Sequence, residues 1–427
     1  MIQKESVTAK QAPWMTDGAV PKQYPWLTEP QSCDVCVVGG GLTAALCALR
    51  LAEAGRSVVL AADGTIGFGE DACLSAGLAA DMGLTLTSLS RRFDTESSLR
   101  LLAMGNEALD ELDNLCRSLD AEEDRDGFSS GFRRCDTLLF TDDESDLPLL
   151  ESEYRARKHN GLSCTYLTRE TARDAFSFAL EGGILSKEAG ASLQPYFLTH
   201  LCLARAERMG AKIYEHTPIA DMELPRGGGE NVLLTTAAHR SIYADTLVLA
   251  TGSRGMASFL PDFRQRTRYA SVTRPIAAEE LRGWPGQCHL RAFGRPEWRC
   301  SLTPDNRIAI DGRERRGLLS PRALLPLREM LQLPDPAERR WDALSETVEA
   351  LFPAVPDIRA AYEYATSYAC ADDGLPVIGT HPSCEKVLFA LCTGPSSVLH
   401  GMLAAQHVAS LIEGRHSADL TFFRPER

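Results

Sequence analysis

The feature that most constrains this chain is a strand, a glycine turn, a helix and a second strand in close succession near its start. Asp34-Val-Cys-Val-Val38 is a short apolar, β-branched run of the kind that forms a buried parallel strand. Gly39-Gly40-Gly41 interrupts it. Leu42, Ala45, Leu46, Leu49 and Ala52 then recur at helical spacing up to Gly55, a helix-ending glycine. Ser57-Val-Val-Leu60 is a second apolar strand. A unit of this kind, about 30 residues long, is a βαβ crossover of right-handed sense.

Within it, Gly39-x-Gly41-x-x-Ala44 carries chemistry. The first glycine permits the tight turn, the second lets a diphosphate approach the backbone, and the small third residue lets helix pack on strand. The amides and dipole of the helix N-terminus favour an anion there. An acidic residue normally follows about 20 residues on, at the end of the second strand, to hold a ribose. That place falls on Ala61, in Leu60-Ala61-Ala62-Asp63, so Asp63 is the carboxylate in reach or a plain turn residue.

Further strands are expected at 212–215, 232–236, 241–250 and 387–391, and an antiparallel region at 263–313. Helices are expected at 87–119, 196–209 and 398–412, with a Pro-interrupted one over 321–352. Strands interleaved with helices at both ends, around an antiparallel insert, indicate an α/β fold. The expected division has a proline-rich arm over 1–30 whose aromatics pack on a domain surface. A discontinuous nucleotide-binding domain takes 31–90, 190–260 and 350–427, and a substrate domain takes 91–189 and 261–349.

Composition excludes several classes. The chain of 427 residues has 45 Lys+Arg against 58 Asp+Glu, a net charge of -13 that disfavours nucleic acid and anionic membrane surfaces. No apolar run approaches the ~18 residues of a membrane helix, and no signal-peptide stretch opens the sequence, so the expected compartment is the cytoplasm. The 13 cysteines are scattered through apolar contexts and read as reduced thiols. Cys33-x-x-Cys36 has metal-ligand spacing without a second pair, and strand residues three apart face opposite ways, so no metal site is expected.

Two later motifs narrow the class. Asp245-Thr-Leu-Val-Leu-Ala-Thr-Gly252 is a strand ending in Ala-Thr-Gly, typical of flavoproteins, and Asp372-Asp373-Gly-Leu-Pro-Val-Ile-Gly379 leads to a strand, a small-residue loop and a last helix. With Trp14-Met15, Tyr24-Pro25, Phe176-Ser-Phe178, Gly182-Gly-Ile-Leu-Ser186 and Gly190-Ala-Ser-Leu-Gln-Pro195, the chain resembles the D-amino-acid-oxidase-type FAD-dependent oxidoreductases, from about residue 10 to 425. That family includes glycine and sarcosine oxidases. The resemblance implies a Rossmann-like FAD domain with an inserted antiparallel sheet, non-covalent FAD, and a small amine or amino acid as substrate and partner. It also implies a reaction in which hydride passes from the nitrogen-bearing carbon to flavin N5. It assigns cofactor contacts to Gly39, Gly41, Leu42, Thr43, Ala62, Asp63, Gly77, Leu78, Ile219, Thr251, Gly252, Gly394, Ser397 and Val398. No catalytic residue stands out beyond Arg299.

Several positions depart from the family pattern. Glu70 and Asp71 are expected to set carboxylates beside the diphosphate, Cys392 and Ser397 stand where the family has glycines, and Ser301 takes the place of a frequent arginine. The alternative is a flavin-free or inactive relative acting as a binding protein or complex subunit. Arg291, Arg295 and Arg299 offer a cation for a substrate carboxylate, or else surface charge paired with Glu297 or Asp305. His400 reads as a polar residue at a helix start. Asp142-Asp143 and Asp372-Asp373 read as solvated turns.

Overall fold

A computed structural model describes residues 14, 20–73, 76–122, 128–225, 231–259, 263–294, 296–313 and 336–427. Its strands, numbered β1 to β17 along the chain, form two sheets. The eight-stranded sheet contains β1 (Gln31–Val38), β2 (Val58–Ala61), β7 (Lys212–Tyr214), β8 (Ile219–Glu223), β9 (Val232–Thr236), β10 (Ser241–Leu249), β16 (Val377–His381) and β17 (Cys384–Leu391). Its order is β16-β17-β10-β1-β2-β7. The pairs β10–β17, β10–β1, β1–β2 and β2–β7 are parallel. Where the first half of β10 pairs with β9, the second half pairs with β17.

The nine-stranded sheet contains β3 (Gly77–Ala79), β4 (Arg133–Thr141), β5 (Thr165–Thr168), β6 (Gly182–Ser192), β11 (Arg264–Pro275), β12 (His289–Ala292), β13 (Trp298–Leu302), β14 (Arg307–Arg313) and β15 (Ala360–Cys370). Its order is β15-β11-β14-β13-β12-β4-β6-β3, with β5 on β6. The strands between 264 and 313 pair antiparallel, as the alternation predicts. β12 meets β4 in parallel.

The longer helices are α1 (Leu42–Glu53), α2 (Thr95–Glu122), α3 (Leu147–His159), α4 (Pro195–Arg208), α5 (Gly252–Phe259), α6 (Pro336–Leu351) and α7 (Ser397–Ile412). α1 and α7 are buried along most of their length, because small and apolar residues surround both. They approach so closely that a Cβ on Gly401 would lie 3.1 Å from Thr43 Oγ1. α6 packs Leu344, Val348 and Leu351 into a separate core with the nine-stranded sheet.

The helix expected from residue 87 begins at Thr95, after a capped single turn at Leu86–Leu89. Of the span 321–352, residues 321–335 lie outside the described residues, and the helix runs from Pro336. β4 falls within 120–147, an acidic and basic stretch expected to form loops and surface strands; β5, β6 and α3 were not expected, β5 being only four residues long, β6 glycine-rich and α3 charged. Of the arm, Trp14 is buried with its indole N–H donated to the Ala72 carbonyl. Tyr24 is buried too, and its amide donates to Glu215 at 2.9 Å, whereas Trp26 stays 65% exposed.

Candidate active site

The carboxyl ends of the parallel strands gather most of the expected cofactor residues on one edge. Gly39 to Thr43 follow β1, Ala62 and Asp63 follow β2, Thr251 and Gly252 follow β10, and Gly394, Ser397 and Val398 follow β17. In open α/β sheets ligands bind outside this edge, at the switch in strand order. Gly39 donates its amide to Ala61 O at 3.0 Å, and Ala250 donates to Val38 O at 2.9 Å. At φ +150° Gly39 lies so close to β10 that a Cβ would be 2.2 Å from Ala250 O, so no other residue fits there. α1 starts at Gly41, in extended conformation, with no side-chain cap. Ile219 opens β8 close by, Thr217 donating to Ala62 O at 2.8 Å.

Gly77 and Leu78 stand across from this edge, on β3 of the second sheet. The Thr251 hydroxyl turns into the first turn of α5, where a Gly255 Cβ would be 2.3 Å from it. The ribose end lacks its acid. Ala61 is buried, and the half-exposed Asp63 is ion-paired to Arg254. Glu70 lies at the start of α5, one strand over from the glycine turn. Its Oε1 accepts the Ser253 amide at 3.3 Å, at the start of α5. The Asp71 side chain lies outside what the structure describes.

One face of the nine-stranded sheet forms the roof of the site. Its register places Arg291 opposite Arg299, Arg299 opposite Asp311, Asp311 opposite Ala270, and Ala270 opposite Tyr364. Directly opposed residues share a face, so these side chains point the same way. Arg299 donates to Asp311 at 3.2 Å, and Arg268 is also ion-paired to Asp311. Arg291 reaches away to Asp81, giving two bonds of 2.8 and 2.7 Å. Asp81 receives Arg157 as well, at 3.5 Å, and Arg157 donates to the fully buried Glu153 at 2.7 Å. Arg291 and Arg299 are therefore largely buried cations held by Asp81 and Asp311, not the surface charges of the alternative expectation. Asp305 binds Arg307 instead, at 2.7 Å. Arg295 lies outside the described residues.

Beneath this roof a small cavity is bounded by Glu70, Arg268, Arg299, Tyr364, Tyr368 and Gly394, among others. Burial, then the adjacent Arg268 charge, pull the Arg299 guanidinium below its usual range against the pull of Asp311. Burial also raises the Tyr364 phenol well above its ordinary range, so it is neutral, and its hydroxyl has no partner among the described residues. His400 is 3% exposed in the first turn of α7. Burial drives it down to about 4, so it is uncharged at neutral pH. Asp143 and Asp373 serve turns, accepting the amides of Ser145 and Leu375 at 2.8 and 2.9 Å.

Arg268, Asp311, Tyr364 and Tyr368 escape the sequence reading. The available signal was an ionisable or phenolic residue at inward positions of alternating strands, as in Ile308-Ala-Ile-Asp311. Among the described residues no group of His, Cys, Asp and Glu is arranged to hold a metal ion.

This geometry defines a class: a Rossmann-type α/β protein whose second sheet roofs a cavity at the carboxyl edge of the parallel sheet. The chain belongs to the DAO family of FAD dependent oxidoreductases, which it matches over residues 34–411. FAD is the cofactor of that family. It is 25% identical over 236 residues to the probable oxidoreductase OrdL of Haemophilus influenzae, covering 54% of this chain and 51% of that one. The chain therefore spans about half the length of this relative. It is 24% identical over 395 residues to glycine oxidase of Geobacillus kaustophilus, covering 90% and 94%. The crystal structure of glycine oxidase from Geobacillus kaustophilus shares the fold, with a TM-score of 0.73 at 18% identity, covering 93% and 99%. The residues present fit FAD at its diphosphate, where the glycine turn leaves the α1 N-terminus without a side-chain cap. They do not offer the usual ribose carboxylate on β2.

Proposed function

We propose that this protein holds FAD non-covalently along the carboxyl edge of its parallel sheet and oxidises a small amino acid or amine in the cavity beneath the second sheet. One observation carries the reading: the buried Arg268–Asp311–Arg299 group and the unpartnered Tyr364 hydroxyl line a cavity that also meets Gly394, in the loop after β17. A buried guanidinium recognises a carboxylate through charge-assisted bonds, and we assign that role to Arg299. Tyr364 donates its phenolic proton as a neutral group. FAD, when bound, supplies the hydride acceptor for the nitrogen-bearing carbon. The chain's own residues orient the substrate and keep water out, and hydride transfer to a flavin asks for orientation more than for a base.

In this reading Gly39, Gly41, Leu42 and Thr43 meet the diphosphate, and Ala62, Asp63 and Ile219 the adenosine end. Thr251 and Gly252 flank the flavin domain, while Gly77, Leu78, Gly394, Ser397 and Val398 surround the ring. The nucleotide domain comprises 31–90, 190–260 and 350–427, with β3 and β15 lent to the roof. All thirteen cysteines are free thiols, which supports a reducing, cytoplasmic setting. Among the described residues no helix is long and apolar enough to cross a membrane.

The test begins with the visible absorption of the purified protein before and after excess FAD. Flavin bands are expected, followed by turnover in an amine and amino-acid screen. With a substrate in hand, Arg299→Ala should weaken its binding at least tenfold, about 1.4 kcal/mol. An unchanged affinity would remove Arg299 from the site. A colourless protein that takes up no FAD would leave the flavin-free reading standing.

A further inference from the structure

One residue of the N-terminal arm reaches the substrate site, and the reading above leaves it unused. Trp14 is only 4% exposed. Its indole N–H donates to the Ala72 carbonyl. Ala72 belongs to the short helical turn Glu70–Cys73, and both Glu70 and Cys73 border the cavity beneath the roof. The indole ring packs in one cluster with Cys73, Ala270, Val272, Ala309 and Tyr364, among others.

Four of these residues lie on one face of the roof. Val272 stands opposite Ala309 on β14, and Ala270 stands opposite Tyr364 on β15. Ala270 and Val272 are two apart on β11, so all four side chains point the same way. Ala270 and Ala309 are small, which leaves depth for an indole beside the larger Tyr364. Trp14 therefore lies on the inner face of the roof, with the Glu70–Cys73 turn on its N–H side.

Tyr364 depends on such support. It is fully buried, and its hydroxyl has no hydrogen-bond partner among the described residues, so packing decides where that hydroxyl points. On the outer face, Trp341 of α6 donates its indole N–H to the Tyr364 carbonyl at 3.2 Å. Tyr269, which faces away from its neighbour Ala270, meets the same Trp341 ring at 5.9 Å. That contact fixes the strand, not the phenol ring. On the inner face the phenol ring is held by the cluster that Trp14 completes. A smaller side chain in place of the indole leaves a void into which the phenol ring can turn.

We propose that Trp14 is a positioning residue of the substrate site: it wedges the Glu70–Cys73 turn against the roof and fixes the Tyr364 ring, so that the phenol meets the substrate carboxylate. This rests on the cavity beneath the roof being the substrate site.

The test is a double-mutant cycle read in ligand affinity. The full chain, in excess FAD, is titrated calorimetrically with propionate, a monocarboxylate that carries no amine to oxidise. Trp14→Leu should weaken propionate by about tenfold or more. Trp14→Phe keeps a ring but loses the N–H and part of the bulk; it should weaken propionate by about threefold or more, and it serves if the leucine variant does not fold. Tyr364→Phe removes the hydroxyl whose placement is at issue. On that background either Trp14 substitution should cost less than about twofold. A lower urea midpoint with unchanged propionate affinity would mean that Trp14 serves folding alone, and it overturns the proposal. A loss of the same size on both backgrounds overturns it too. If the unsubstituted protein binds no propionate, the reading of the cavity as the substrate site falls, and this inference with it.

Discussion

The Asp81–Arg291 pair gives the sharpest test of how the roof of the site is held. Asp81 accepts two bonds from Arg291, the Gly83 amide at 3.0 Å, and Arg157 at 3.5 Å. The side chains of Asp81 and Arg291 are only 18% and 12% exposed. Removing one partner of a buried pair costs about 3–5 kcal/mol, because the other charge is left buried without compensation. Asp81→Asn strips the charge from between two guanidinium groups, but Arg157 keeps Glu153. The expected loss is therefore near the lower end, about 3 kcal/mol. Arg291→Met leaves Asp81 with Arg157, and should cost about 2–3 kcal/mol. With both substitutions no uncompensated charge remains, so the double variant should lose about 3 kcal/mol, a coupling of about 2–3 kcal/mol. The charge is present at neutral pH: burial alone would raise the Asp81 carboxyl, but the Arg291 and Arg157 charges and the Gly83 amide hold it below its usual range. Its stabilisation is thus complete above the ordinary carboxylate pKa and is lost only as pH falls through the lower folded value. Urea unfolding at pH 7, followed by circular dichroism, measures each midpoint, with equal slopes licensing the comparison. Effects that add to within about 0.5 kcal/mol would refute the clamp.

Two further outcomes are expected. Gly394 has φ +72°, and a Cβ there would lie 2.7 Å from the Tyr368 ring; Gly394→Ala should cost about 1–2 kcal/mol for the left-handed backbone and lower the flavin-to-protein absorbance ratio, and an unchanged ratio would move the flavin ring away from this loop. His200 and His400 are held down to about 4 by burial, against about 6.5 when unfolded. The unfolded chain takes up their protons first, so stability is full above pH ~6.5 and falls toward pH ~4, by at most about 1.4 kcal/mol per unit for each group. His400→Gln should flatten that slope in urea midpoints taken between these limits, and an identical slope would mean His400 does not contribute.

How much of this was legible in the sequence follows from where the information lies. The nucleotide edge was legible because its determinants are local: glycines at a turn, a β-branched strand, a helix period. Val232–Thr236 falls on its strand, and Ser241–Leu249 differs from the expected span by one residue. The roof was not legible. Arg268, Arg299 and Asp311 become neighbours only through the register of three strands, and register is set by pairing that no short window contains. Arg299 was singled out, but its partner Asp311 was not, and Arg291's partner Asp81 lies 210 positions away in sequence.

The acidic loop shows what a local reading misses when two helices compete for one charge. Read in sequence, Glu70 is a carboxylate placed against a diphosphate, where like charges repel. In the fold its Oε1 faces the Ser253 amide and lies 3.6 Å from where a Gly252 Cβ would be. Both residues belong to the first turn of α5, and a helix N-terminus favours a nearby negative charge. The glycine turn opens a different helix, α1, on the next strand of the sheet. Adjacent parallel strands thus present two separate helix N-termini at one edge. Glu70 accepts the Ser253 amide at the α5 start, one strand over from the glycine turn. The carboxylate that departs from the family pattern thus has an amide partner within the chain, at the α5 start, and borders the cavity beneath the roof.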